Sequence, residues 1–407
     1  MRTEKISIVG LGKLGLPLLV TFAKNGQKII GFDIDENKIN LLKQNKVPFY
    51  EPNLEEYYNR YISNITVETN TSRLVSETDV AIILVNTPSN SDGTFSNDYV
   101  YQSVETIAKS LQNCQSDDFL FIISSTVMPE THKEIVRIIE HNSFRKLNHG
   151  FGLLYIPDLV ALGNVIYDFE NPDVLIMGQS DEKYGDIGES IYRKILKNNA
   201  PIVKMSLIES EICKVSLNAY ITMKISFANF LGNISEKLNC NTKNITKALG
   251  FDKRISPYYF RSGLSFGGTC FPRDTWAFIN LSEKLGLRAE HIIATQKINE
   301  NQNKKLIENV SKFSDKVIGI FGLSFKPNTA VTTESASYIL YEHLKNNNYK
   351  VLGCDDLVET DFKSNEFEIF LDRSDVVVLA HTNVNLFQKY SELFKSKIII
   401  DPWNILI

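Results

Sequence analysis

Short β-branched runs alternate with helix-length amphipathic stretches through roughly the first 200 residues, and no other feature limits the fold as strongly. Strand candidates fall at 5–9, 28–31, 80–85, 119–123, 152–155, 174–177 and 201–204, and stretches such as 12–25 and 99–114 fit between them as helices. This reads as βαβ units around a parallel sheet. At about Ser206 the pattern changes. From there to about Leu238 the chain holds no proline and one glycine, Gly232, with apolar residues on more than one face. That predicts one long, largely buried helix, shared with a second subunit. Helical segments continue, past a Gly/Ser-rich interruption at 261–268, to about Ile307. Then βα alternation returns, with strands at 316–321, 350–353, 375–380 and 397–401 and a helix at 334–347. The expected outline is α/β: a sheet domain at 1–205, a helical connector at 206–305 and a second sheet domain at 306–407.

The 407 residues suffice for two to three domains and a core without staples. Lys plus Arg (44) and Asp plus Glu (48) nearly cancel, giving −4, so there is no global basic footprint and nucleic acid is not the expected partner. A 43% hydrophobic and 23% charged composition excludes a disordered or collagen-like chain. The five cysteines, Cys114, Cys213, Cys240, Cys270 and Cys354, are odd in number and never spaced C-x-x-C. Reduced thiols in a cytoplasmic setting are expected, with no metal site. The apolar run 6–23 is broken by Lys13 and three glycines, and the other apolar runs are strand length, so no membrane span is expected.

Gly10-Leu11-Gly12-Lys13-Leu14-Gly15 follows a strand candidate and opens a helix candidate. Glycine lets a backbone turn tightly and approach a pyrophosphate, whose charge then sits on unpaired N–H groups at a positive helix terminus. Asp33 ends the next strand, 23 residues after Gly10. A carboxylate there accepts the adenosine ribose hydroxyls and repels a 2′-phosphate, so NAD is expected over NADP. Thr87 and Thr126 lie just after the strands 80–85 and 119–123, where ligands bind in an open parallel sheet. Their hydroxyls serve ligand contact or helix capping, and the residues alone leave both open.

The stretch Phe266-Gly267-Gly268-Thr269-Cys270-Phe271-Pro272-Arg273-Asp274 sets a thiol directly after two glycines and a carboxylate four residues on. This context marks Cys270 as a nucleophile candidate, whereas the other four cysteines read as small hydrophobes. Lys214 and Asn218, four apart on the long helix, share a face and together suit a developing oxyanion; the alternative is a solvated polar stripe. Glu211, one turn earlier, is expected to pair with Lys214.

These motifs, with Gly322-Leu323-Ser324-Phe325-Lys326-Pro327-Asn328-Thr329, Glu51-Pro52-Asn53-Leu54 and Asn171-Pro172-Asp173, resemble the UDP-glucose dehydrogenase family over essentially the whole chain. The resemblance implies two Rossmann-like domains joined by a long helix that forms a homodimer core. It also implies a four-electron oxidation of a nucleotide sugar by two NAD. Cys270 would capture the aldehyde as a thiohemiacetal and then form a thioester. Lys214 and Asn218 would steady the oxyanion, Asp274 would assist, Thr126 would place a water, and Asp158 stands where the family carries a glutamate base. By the same resemblance, Arg254 reaches the sugar of the neighbouring subunit. Tyr259, Arg261, Gly267 and Lys326 would hold the nucleotide sugar. Asp33 and Lys38 match cofactor-ribose positions, and Thr87 and Thr126 match nicotinamide positions.

The chain also departs from the family. Leu162 replaces a second acid, Thr333 stands where an arginine is common, and Trp403 replaces another arginine. Thr269 before the cysteine resembles the UDP-glucose branch more than the UDP-N-acetylhexosamine branch, which carries histidine there; GDP-mannose enzymes are near. UDP-glucose to UDP-glucuronate is the expected conversion. The alternatives are a UDP-N-acetylhexosamine, GDP-mannose or, given the altered 157–163 stretch, a modified UDP-hexose. The other competing readings are a two-electron hydroxyacid-type dehydrogenase, which needs no loop thiol, and a non-catalytic sugar-nucleotide sensor.

Overall fold

The computed structural model describes residues 5–90, 93–114 and 118–406. The chain forms two compact units, Met1–Val215 and Ser216–Ile407.

The first unit is built on nine strands: β1 (Ile6–Val9), β2 (Ile29–Phe32), β3 (Ile65–Glu68), β4 (Val80–Ile83), β5 (Phe119–Ile123), β6 (Lys146–Leu147), β7 (Gly150–Tyr155), β8 (Leu175–Gln179) and β9 (Ile202–Ser206). Their order is β3-β2-β1-β4-β5-β7-β8-β9, with β6 against β7. Alternate side chains enter opposite cores. Ile6, Ile8, Ile82 and Ile122 pack on one face, while Val9, Ala81, Ile83, Phe121 and Ile123 pack on the other. Helices cover both faces, which is why these strands read as near-continuous apolar runs.

Two differences from the sequence reading stand out. Strand β3 was not expected; it is an edge strand in which Val67 is the one buried residue, too weak a pattern to signal itself. And β8 runs antiparallel to β7, with Leu154 opposite Gln179 and Tyr155 opposite Gly178. The chain leaves β7 and re-enters from beyond that strand's carboxyl end, so no full crossover forms and the expected parallel pairing is lost.

In the second unit β10 (Val317–Phe321), β11 (Lys350–Cys354), β12 (Val376–Leu379) and β13 (Ile398–Ile400) form a parallel sheet of order β11-β10-β12-β13. Ile318, Ile320, Val376 and Val378 fill one core. Phe321, Val377 and Leu379 fill the other with Phe367, Phe370 and Phe387. Each such side chain contributes about 1.5–3 kcal/mol on burial. The two Rossmann-like sheets expected from the resemblance are both present.

The 31-residue helix Leu207–Lys237, hereafter the central helix, matches the expected span within a residue at each end and is about 45 Å long. The boundary between the compact units falls within it. Val215, Ala219, Thr222, Ser226 and Asn229 are buried, whereas Tyr220, Phe227, Phe230 and Ile234 are exposed. Burial within one chain is therefore one-sided, and these apolar residues form a partly exposed stripe. No helix among the described residues is long and apolar enough to cross a membrane.

Candidate active site

In the first unit the turn after β1 is shaped by its glycines. Gly10 has φ +95°, and a Cβ on Gly15 would lie 1.8 Å from the Gly10 carbonyl oxygen. The helix Gly15–Lys24 therefore starts later than the expected residue 12, with Leu14 at its N-cap and no side-chain cap. A Cβ on Gly12 would meet nothing within 4 Å. Open space thus lies before an uncapped, positive helix end, which suits a pyrophosphate.

Asp33 follows β2 and is nearly buried. Its Oδ2 accepts from the Leu11 N–H at 2.8 Å and from Lys38 Nζ at 2.5 Å, while Oδ1 accepts from the Asp35 N–H at 3.0 Å. Asp35 caps the helix Glu36–Lys43 and so places Lys38. Asp33 Oδ1 keeps accepting capacity for a ribose hydroxyl. The turn, the uncapped helix and Asp33 together fit a dinucleotide. Thr87 is buried past β4 and Thr126 half-buried past β5.

The second sheet repeats this turn with a different outcome. Gly322 donates to the Cys354 carbonyl as Gly10 does to that of Phe32, both at 2.8 Å. Asp355 then takes the place of Asp33. Burial works against its charge, yet the N–H groups of Val358, Leu357, Leu323 and Ser324 hold its carboxyl below the usual range. With Ser324 Oγ also donating, Asp355 is filled by its own chain and offers little to a ribose.

Lys214, 7% exposed, donates from Nζ to the Asp158 backbone carbonyl at 3.0 Å. The Asp158 side chain is separate from that bond: its Oδ2 is closed off from solvent and has no hydrogen-bond partner among the described residues. Burial raises its carboxyl to about 8, against the downward pull of Lys214. Glu211 does not pair with Lys214 as expected. It is 1% exposed and accepts from the Glu130 N–H (2.7 Å), the His132 N–H (2.8 Å) and His132 Nδ1 (2.9 Å), capping the earlier helix Thr131–Ser143. With Glu211, Lys214 and Asn218 all buried, the solvated-stripe alternative is excluded.

Leu162, where the family's second acid is missing, packs against the apolar core. Glu51 holds the neighbouring backbone, accepting from the Gly163 and Val165 N–H groups at 2.9 Å each. Nothing in the residue types alone pointed to that role. Asn53 takes up φ +63°.

In the second unit Cys270 is exposed and stands at the N-cap of the helix Phe271–Lys284, facing its positive end. Thr269 Oγ1 lies 3.5 Å from its sulfur. Asp274, fully buried, accepts from Asn218 Nδ2 at 2.6 Å and from Arg273 Nε and Nη2 at 3.0 and 2.9 Å. The cysteine loop is braced by the loop after β10. Gly268 (φ +83°) donates to the Thr333 carbonyl at 2.9 Å, and a Cβ there would lie 2.8 Å from the Phe325 ring. A Cβ on Gly267 would lie 2.1 Å from the Glu334 carbonyl oxygen. Thr333 thus contributes its backbone to the cysteine loop. Lys326 is half-buried with Nζ 5.8 Å from the Phe325 ring.

Arg254 is exposed and pairs with Asp252 at 2.6 Å. Tyr259 is half-exposed and meets Phe271 edge-on at 5.9 Å. Arg261 lies 5.7 Å over the Trp403 ring and donates to the Trp403 carbonyl. Of the other cysteines, Cys354 is buried with its thiol pushed up to about 12, and Cys114 and Cys213 are half-buried. Cys240 is exposed just past the central helix, not the small core residue expected. Among the described residues no group of three or more His, Cys, Asp or Glu side chains could hold a metal ion.

Comparison with known proteins covers the whole chain. Residues 4–196 match the NAD binding domain of the UDP-glucose/GDP-mannose dehydrogenase family, 208–301 its central domain and 319–407 its UDP binding domain. The chain is 30% identical to a UDP-glucose 6-dehydrogenase of Rhizobium meliloti over 86% of its own length and 81% of the relative's. It is 29% identical to a GDP-mannose 6-dehydrogenase of Pseudomonas putida, covering 87% and 81%. A solved UDP-glucose dehydrogenase from Pyrobaculum islandicum superposes with a TM-score of 0.89 at 27% identity, covering 100% of this chain and 96% of that one. The chain therefore belongs to the UDP-glucose/GDP-mannose dehydrogenase family of NAD-dependent nucleotide-sugar dehydrogenases.

Proposed function

We propose that the protein oxidises the C6 alcohol of UDP-glucose to the carboxylate, a four-electron reaction that consumes two NAD. The observation that carries this reading is Cys270, exposed at a helix N-cap and one turn from the buried Asn218–Asp274–Arg273 network. A two-electron dehydrogenase needs no thiol so placed.

Bound NAD supplies the hydride acceptor for each of the two oxidations. Gly10, Gly12, Leu14 and Gly15 would cradle its pyrophosphate, Asp33 and Lys38 its ribose, and Thr87 and Thr126 its nicotinamide end. The alcohol loses a hydride and its hydroxyl proton, leaving an aldehyde. The Cys270 thiolate adds to that carbon, and Lys214 and Asn218 steady the oxyanion. Loss of a second hydride leaves a thioester. Water placed by Thr126 and assisted by Asp274 cleaves it, releasing the carboxylate and restoring the thiol. Asp158 serves as base in its ionised form. Tyr259, Arg261, Gly267 and Lys326 would hold the nucleotide sugar, and the residues 1–205, 206–305 and 306–407 would divide cofactor, dimer and nucleotide roles.

A homodimer is part of the proposal. The exposed stripe Tyr220, Phe227, Phe230 and Ile234 suits a second copy of the central helix, and Arg254, exposed and paired to Asp252, would reach the partner's sugar.

Thr269 before the cysteine favours UDP-glucose. Relatives named GDP-mannose 6-dehydrogenase match equally well, which favours GDP-mannose as the second reading. Incubating the enzyme with NAD and a panel of nucleotide sugars and counting NADH per sugar tests both. Two NADH per UDP-glucose, lost in Cys270→Ser, supports the proposal. Two per GDP-mannose moves the assignment, one per sugar replaces the mechanism, and none removes it.

A further inference from the structure

Residues 255–264, which carry Tyr259 and Arg261, contain no helix or strand. Two non-glycine residues there, Ser256 (φ 69°) and Tyr259 (φ 55°), occupy the left-handed region that L-residues disfavour. Such a backbone persists only where its surroundings over-determine it.

Those surroundings are the central helix between Lys224 and Gly232. Lys224 Nζ donates to the carbonyls of Ile255 (2.9 Å), Ser256 (3.3 Å) and Tyr258 (2.7 Å). Phe227 stacks on Phe260 with centroids 6.2 Å apart and planes 13° from parallel. A Cβ on Gly232 already meets Ser262 Oγ at 1.9 Å, so helix backbone and segment touch. Asn229 accepts from the Gly263 N–H at 2.8 Å and donates to the Leu264 carbonyl at 3.1 Å. Lys224 and Phe227 therefore meet the segment at 255–260, and Asn229 and Gly232 meet it at 262–264.

Lys224 is the exceptional rung. Its ammonium has three donors and meets three carbonyls, all from the strained part of the segment. Withdrawal from water disfavours the charge, which no carboxylate among the described residues offsets by an ion pair. A neutral apolar side chain would pack there without that penalty, but it would not tie down three carbonyls at once.

We propose that Lys224 is a positioning residue for the nucleotide sugar: by gathering the 255, 256 and 258 carbonyls it fixes the left-handed turn that aims Tyr259 and Arg261. This rests on the substrate-holding roles proposed above for those two residues.

The test compares wild type with Lys224→Met, which keeps the stem and loses every donor, with Lys224→Gln, which keeps two donors, and with Lys224→Arg, which keeps a cationic donor. The expected result is a KM for the nucleotide sugar raised at least tenfold in Lys224→Met and less in Lys224→Gln. Lys224→Arg restores it to within threefold, and KM for NAD stays within twofold throughout. Amide exchange at 258–261 should accelerate in Lys224→Met without added ligand. An unchanged sugar KM, an equal rise in both KM values, or no rescue by arginine overturns the inference. If wild type oxidises no nucleotide sugar, the proposed function fails. The exchange rates, with UDP affinity by calorimetry, then decide the role of Lys224: unchanged values overturn it and faster exchange with weaker UDP binding upholds it. Should Lys224→Met not fold, the same measurements on Lys224→Gln decide.

Discussion

Asn218 donates from Nδ2 to Oδ2 of Asp274 at 2.6 Å, and the receiving carboxylate is fully buried. The other Asp274 oxygen is held by Arg273. Both oxygens are therefore occupied, and the carboxylate fixes which way the Asn218 amide faces. Removing it takes that buried acceptor from both the guanidinium and the amide. Asp274→Ala should destabilise by about 3–5 kcal/mol, and Asn218→Ala by about 1–3 kcal/mol. Urea unfolding measures both; equal midpoints for wild type and Asp274→Ala would show that the network is not an anchor.

The dinucleotide turn separates two uses of glycine. A Cβ at residue 15 would collide with the Gly10 carbonyl, whereas one at residue 12 projects into open space. Gly15→Ala should therefore unfold at a lower temperature than wild type. Gly12→Ala should keep the wild-type melting temperature and bind NAD at least ~10-fold more weakly, about 1.4 kcal/mol. Calorimetric melting and NAD titration of both variants check this; a Gly12→Ala protein with unaltered NAD affinity contradicts the placement of the pyrophosphate.

Burial raises the Asp158 carboxyl to about 8, whereas in an unfolded chain it sits near ~3.9. Between those values the folded protein holds a proton that the unfolded chain has lost. This group's contribution to stability is thus most favourable below the lower value, falls as pH rises, and levels off above about 8. Asp158→Asn should flatten that slope and gain on the order of a few kcal/mol relative to wild type at pH ~9. As a base Asp158 acts only when ionised, so kcat should climb toward a plateau above about 8. A kcat independent of pH from ~6 to ~9 removes Asp158 from that role.

Trp403 occupies the space that a Cβ on Gly263 would need, and its Nε1 donates to the Ala380 carbonyl at 2.7 Å. Its ring and carbonyl also hold Arg261. A cation–π contact of this exposure contributes about 0.5–1 kcal/mol. Trp403→Ala should accordingly raise KM for the nucleotide sugar roughly two- to fivefold, leaving KM for NAD alone. Steady-state kinetics with each substrate varied in turn decides it.

Much of this molecule was legible before any coordinates. Strand alternation, the late glycine-poor helix, the Gly10–Gly15 turn with Asp33 and the loop around Cys270 all express rules that act within one strand, one turn or one helix end. Tertiary packing decided the rest. Glu211 was expected to serve Lys214, its neighbour on the helix, but it caps a helix 79 residues earlier in the chain. Asp33 and Asp355 follow the same kind of turn, and only packing left one open to a ligand and filled the other. The reversal of β8, the exposure of Cys240, the closed-off Asp158 oxygen and the three carbonyls on Lys224 belong to the same class. The sequence by itself determined which groups exist and the local backbone that presents them. Which partner satisfies each buried polar group depends on surfaces brought together from distant parts of the chain, and no local period or propensity encodes that.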